Sequence, residues 1–201
     1  MEVKNNIIRS LDEIKDEEGY YLLSLAEKAV HDYVKEKKLF QPEKIKYDIV
    51  KKLGASFVTL EKEGNLRGCI GSIIPYRELY KDVIENAVAA AAKDPRFTPV
   101  KPEELDSIDI KLSVLSFPKE IFYTDYMDLL NKIEPYKDGL IIRYANHQAT
   151  FLPDVWYQIP DKELFLANLS YKAGLPPEFW KTGLLDVYKY HTKTFTKTKL
   201  K

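Results

Sequence analysis

Ser56-Phe57-Val58-Thr59-Leu60, then Glu63-Gly64-Asn65, then Leu66-Arg67-Gly68-Cys69-Ile70-Gly71 is the stretch that decides the architecture. The first five residues are β-formers, the next three carry a turn signal, and Leu66 to Ile74 reads as the returning strand. A hairpin set between segments of helical period predicts an α+β fold, with a largely antiparallel sheet flanked by helices. No Gly-rich phosphate loop opens a helix after a strand, so the usual nucleotide-binding signatures are missing.

Working outward, Leu22, Leu25, Ala26, Ala29, Val30, Tyr33 and Val34 form one helical stripe and predict a helix from about Tyr20 to Lys37. A second helix is predicted after Gln41, with Pro42 at its first position. Its apolar face is Ile45, Ile49, Val50 and Leu53, and Gly54 is its stop. Beyond the hairpin, a long helix runs from about Arg77 to Lys93 and ends at Asp94-Pro95. Three prolines make 94–102 a loop. Ile108 to Phe117 alternates as a strand, Asp125 to Lys132 reads as a short helix, and Gly139–Tyr144 and Ala149–Leu152 read as a hairpin around Asn146-His147. Lys162 to Ala173 is a helix closed by Gly174, and Leu185 to Phe195 reads as one last strand. The chain is expected to form a single domain over 1–201, with two lobes and a frayed end at 196–201.

The chain has 201 residues, 31 basic and 31 acidic, and 45% of it is hydrophobic. That content supports a buried core and excludes disorder as the main state. Zero net charge argues against binding nucleic acid by neutralising phosphates. No run of about 18 apolar residues predicts a membrane span. The first residues lack the apolar core of a signal peptide, and one cysteine allows no internal disulfide, so a cytoplasmic setting is expected. His31, His147 and His191 are far apart, and no paired His or Cys spacing exists, so no metal site and no cofactor are predicted.

Two glycines inside one strand are costly, and such glycines mark a bulge or a close approach of ligand or backbone. Regular alternation puts Arg67, Cys69 and Gly71 on one face and Leu66, Gly68 and Ile70 on the other. A guanidinium two residues from a thiol favours thiolate chemistry, and the space beside Gly71 would admit a small substrate. Asp94 and Arg96 flank Pro95; they form either a pair that grips a carboxylate or phosphate or a brace for the loop. Cys69 is the candidate nucleophile, His147 a candidate from the second hairpin, and Arg67, Gly68, Gly71, Asp94 and Arg96 are candidate binding residues.

The segment Leu66-Arg67-Gly68-Cys69-Ile70-Gly71 resembles the signature of the AMMECR domain family, whose prokaryotic members are also called AmmeMemoRadiSam system protein A. Phe57-Val58-Thr59-Leu60, Asp94-Pro95-Arg96-Phe97 with Pro99, Phe151-Leu152-Pro153-Asp154-Val155-Trp156, and Ala173-Gly174-Leu175-Pro176-Pro177 with Trp180 extend the likeness from about Ala26 to Phe195. Where such members often carry Arg-Gly, this chain has Gln148-Ala149. The resemblance implies a larger lobe holding both termini, a smaller lobe, and a cleft bordered by the signature strand. It supplies no reaction. It implies a pathway shared with Memo-like proteins, which resemble non-haem iron dioxygenases, and with radical SAM proteins. Two functions follow: a protein that binds or acts on a small polar or anionic molecule, or a non-catalytic adaptor for such partners.

Overall fold

The computed structural model describes residues 6–197. Past Lys197, the end expected to fray lies outside the described residues. The chain divides into two compact units, one built from residues up to Phe117 together with those from Lys193, the other from Pro118 to Thr192. Both are antiparallel sheets with helices, so the fold is α+β, as the hairpin predicts.

In the first unit, α1 (Asp16–Glu36) is followed by β1 (Leu53–Lys62), β2 (Asn65–Gly71), the two-residue β3 (Arg77–Glu78), α2 (Leu79–Ala92), β4 (Ile108–Leu115) and, at the end of the chain, β9 (Thr192–Thr196). The strand order is β2-β1-β4-β9, and β3 pairs with the start of β1. The β1–β2 turn is Glu63-Gly64, with φ of 53° and 78°, the left-handed pair that a two-residue hairpin of this twist requires. The predicted stripe of α1 is buried except for Tyr33, and Leu22 and Leu23 are fully enclosed, each contributing roughly 1.5–3 kcal/mol of burial. The alanines of α2 have a specific task. A Cβ at Gly68 would lie 2.2 Å from the carbonyl oxygen of Ala90, so a glycine strand and an alanine helix are what let α2 sit directly on β2.

Two expectations fail here. The second helix does not form: 41–48 is irregular, only Ile49–Lys51 makes a 3₁₀ turn, and Leu53 and Gly54 open β1. Leu53 is claimed by distant segments instead. Its N–H donates to Asn6 O (2.7 Å), its carbonyl accepts from Ile8 N–H (2.9 Å), and it pairs with Glu78. Gly54 is no helix stop; a Cβ there would meet Leu79 Cβ at 2.9 Å. The last strand is likewise two strands, β8 (Asp186–Tyr190) and β9, in different sheets. Tyr190 is buried with its hydroxyl on Thr150 and on Phe151 O, whereas Phe195 fills the space left by Gly19 on α1.

The second unit holds β5 (Lys119–Glu120), α3 (Tyr126–Lys132), β6 (Gly139–Tyr144), β7 (His147–Phe151), α4 (Lys162–Lys172) and β8, with strand order β5-β8-β6-β7. Its core includes Trp156 stacked on Phe165 (3.6 Å between centroids), and the indole N–H donates to Asp138 O at 2.7 Å. The Asp138 side chain is wholly buried. It accepts from Glu134 N–H and is met by Lys189 and His191.

Candidate functional site

β2 is the outer strand of its sheet, so the N–H and carbonyl of Cys69 face an open edge. The loop after α2 covers that edge. Asp94 Oδ2 accepts from Cys69 N–H at 2.8 Å, and Arg96 Nη2 donates to Cys69 O at 3.4 Å. Carboxylate and guanidinium together imitate a neighbouring peptide. They also bind each other, with Arg96 Nε on Asp94 Oδ1 (3.0 Å) and Nη2 on Oδ2 (2.7 Å). This pairing, helped by the N–H groups of Cys69 and Arg96, holds the Asp94 carboxyl well below the usual carboxylate range against the opposing effect of burial. The Arg96 side chain remains 55% exposed.

With its backbone polar groups turned to the edge, Cys69 forms a closely spaced, non-hydrogen-bonded pair with Thr59 on β1. The two side chains meet, with Thr59 Oγ1 3.2 Å from Cys69 Sγ, and the thiol is half-buried.

Arg67 is placed differently from the alternation rule. Leu60 pairs with Gly68 and Glu61 with Leu66, so Arg67 is the extra residue of a β-bulge. Its guanidinium is spent on Glu104, through Nε (3.1 Å) and Nη2 (3.0 Å), and on Thr98 O (2.9 Å). First Arg67, then the N–H of Lys101, pulls the Glu104 carboxyl down to about 2. Arg67 braces the loop. Phe97 connects it to Arg96, both guanidinium carbons lying within 6 Å of the ring centre (5.9 and 5.6 Å). The space expected beside Gly71 is taken by the Phe57 ring, which a Cβ there would meet at 2.3 Å.

His147 opens β7 in the second unit. Its Nδ1 is 2.8 Å from Ala173 O, tying the hairpin to the end of α4. The first unit thus brings together Cys69, Asp94 and Arg96 through direct bonds, and Arg67 through Phe97; Gly68 serves helix packing.

Residue-level reading missed Thr59, Glu104 and a second network behind the same hairpin. There Asp82, fully buried on α2, accepts from Ser56 N–H (2.9 Å), Ser56 Oγ (2.7 Å), Ser72 Oγ (2.6 Å), Arg77 Nε (2.8 Å) and Asn86 Nδ2 (2.9 Å). Asp82 and Asn86, four apart on the buried stripe of an alanine-rich helix, are the signal that was available.

Two cavities open elsewhere in the first unit. One of about 610 Å³ lies between α1 and the start of β4, and one of about 450 Å³ between 39–42 and α2. Neither is lined by β2. Among the described residues, no group of three or more His, Cys, Asp or Glu is placed to hold a metal ion, and no helix is long and apolar enough to cross a membrane.

Residues 23–195 match the AMMECR1 family model. A protein of Methanothermobacter thermautotrophicus is 39% identical over 185 residues, covering 89% of this chain and 94% of its own. Protein TK0174 of Thermococcus kodakarensis is 38% identical over 193 residues, covering 90% and 91%. The crystal structure of the uncharacterised protein PH0010 from Pyrococcus horikoshii superposes with a TM-score of 0.87 at 36% identity, over 92% of this chain and 94% of that one. By the family match over residues 23–195, the identity to these relatives and the shared fold, the chain belongs to the AMMECR1 family.

Proposed function

We propose that the chain binds a small anionic molecule on the Cys69 face of β2, where the exposed guanidinium of Arg96 meets the anion and the thiol meets the remainder of the ligand. One observation carries this reading. The Cys69 backbone is held on its open edge by Asp94 and Arg96, while its thiol stays half-buried against Thr59 and the Arg96 side chain is 55% exposed. A reactive atom fixed by its supporting shell, beside an accessible cation, is the arrangement a binding or group-transfer site needs. Because the chain has no net charge, no global field gathers anions and the grip must be local. Cys69 then serves as nucleophile or as anchor, within a pathway shared with Memo-like and radical SAM proteins.

Alkylation of the intact protein, followed by mass spectrometry, tests this. Cys69 is expected to react faster than free cysteine at neutral pH and to be protected by millimolar phosphate or acetate. Arg96→Gln is expected to remove the protection. A thiol no faster than free cysteine and indifferent to anions overturns the reading.

A second reading, an adaptor for a Memo-like or radical SAM protein, is favoured by Ile74 and Tyr76, which leave β2 with 50% and 63% of their surfaces exposed. Capture of such a partner that Tyr76→Asp abolishes would support it; an empty pull-down alongside anion-protected labelling would dismiss it.

A further inference from the structure

We propose that the cavity between 39–42 and α2 is a binding site for an uncharged, largely apolar small molecule that carries one hydrogen-bonding group. The inference is independent of the Cys69 reading, since no residue of β2 lines this cavity.

The cavity holds about 450 Å³, which is the size of a small-molecule site. Ile84 and Val88, one turn apart on α2, form its floor, and Leu39, Phe40 and Pro42 form the opposite wall. That wall has no regular secondary structure, so its own backbone does not hold it in place. Side chains of α1 do. Lys28 stands over the Phe40 ring at 5.2 Å, and the Tyr21 hydroxyl donates to Lys44 O (3.4 Å) and accepts from Lys46 N–H (3.3 Å). Pro42 stiffens the wall further by fixing its own φ. A cavity whose walls are already fixed costs a ligand little ordering on binding.

Depth and charge decide what fits. Ile84 and Val88 keep 8% and 5% of their surfaces exposed although they line the cavity, whereas Leu39 is 64% exposed at its mouth. An apolar body seated on the floor and covered by Leu39 takes apolar surface out of water on both sides. The charged groups around the cavity are already matched. Lys81 pairs with Glu78, Glu85 with Arg77, and Lys28, above Phe40, with Asp32 at 3.1 Å. An ionic ligand has to displace one of these partners and gains little by it, whereas a neutral ligand leaves the pairs intact. Gln41 differs. Its exposed side-chain amide bonds to none of the described residues, so it is placed to donate to, or accept from, the polar group of a ligand at the mouth.

Fluorescence titration of the whole chain with two probes of one shape tests this: neutral N-phenylnaphthylamine, and anilinonaphthalenesulfonate, the same body with a sulfonate. The neutral probe is expected to bind once per chain at about 10–100 µM, and the sulfonate about tenfold more weakly. Ile84→Trp, which fills the floor, is expected to weaken the neutral probe about tenfold, and Leu39→Ser, at the exposed mouth, about fivefold. Gln41→Ala is expected to weaken it about threefold through the lost bond to the probe's amine. Thermal melts establish that the variants are folded, and Leu39→Ser carries the test if Ile84→Trp does not fold. No saturable binding of the neutral probe, or binding unchanged in the folded floor and mouth variants, overturns the site. Equal or tighter binding of the sulfonate overturns the ligand class, and an unchanged affinity in Gln41→Ala overturns the polar contact.

Discussion

Two Asp–Arg pairs hold one hairpin, one at Ser56 on β1 and one at Cys69 on β2, and they do different work. Asp82 is wholly buried and receives donors from β1, Ser72, Arg77 and α2; Arg77 gives its remaining nitrogens to Glu85 and Asn86. Nothing in that network is left for a ligand. Asp94 is nearly as buried, but it holds a single strand edge, and its arginine is 55% exposed. The same chemical pair is architecture where the cation is enclosed, and is proposed here to be a site where the cation meets water.

The largest effect should come from the enclosed pair. Asp82→Ala strands Arg77 and the Ser56 N–H in the interior and should cost about 3–5 kcal/mol in urea unfolding. A loss below about 1 kcal/mol would erase the distinction between the pairs. Asp94→Ala should cost less, about 1–3 kcal/mol, because Arg96 and the freed edge of Cys69 can turn to water.

The acid limb of stability sharpens the contrast. Arg96 lowers the pKa of Asp94, and Arg67 lowers that of Glu104 from 4.5 to about 2. A folded-state pKa below the unfolded one gives stability that is complete above the unfolded value and lost as pH falls through the folded value. Unfolding free energy should therefore decline from about pH 4.5 toward pH 2. The double variant Asp94→Asn, Glu104→Gln should flatten that decline; an unchanged slope would place the acid sensitivity elsewhere. The smallest effect on stability is expected for Cys69→Ser, within about 1 kcal/mol, since the hydroxyl keeps the Thr59 contact. That variant should lose all alkylation, because Cys69 is the only cysteine in the chain.

Local periodicity carried the hairpin, α1, α2, α4 and the 139–151 hairpin, since each is a run whose apolar spacing matches its own geometry. It failed where a distant partner decided. Ile45, Ile49 and Leu53 fit a helix, yet Leu53 is drawn into a strand by Asn6, Ile8 and Glu78. Leu185 to Phe195 has unbroken strand propensity, and no glycine or proline marks the division at His191. At the site, Cys69 and the Asp94–Arg96 pair were visible as residue types. The bulge that removes Arg67, the ring that fills Gly71 and the Thr59–Cys69 contact depend on register between strands, which a single sequence does not display.

The seating of Phe195 on Gly19 has a consequence in time. A Cβ at Gly19 would lie 2.1 Å from that ring, so the first helix is cut to receive a side chain from the last strand. During synthesis at 5–20 residues per second, Phe195 leaves the ribosome roughly 10–35 s after Gly19. Until then the apolar surface of α1 has no lid at that position, and the final strand of its sheet does not exist. The notch at Gly19 is therefore among the last places in the first unit to be filled as the chain is made.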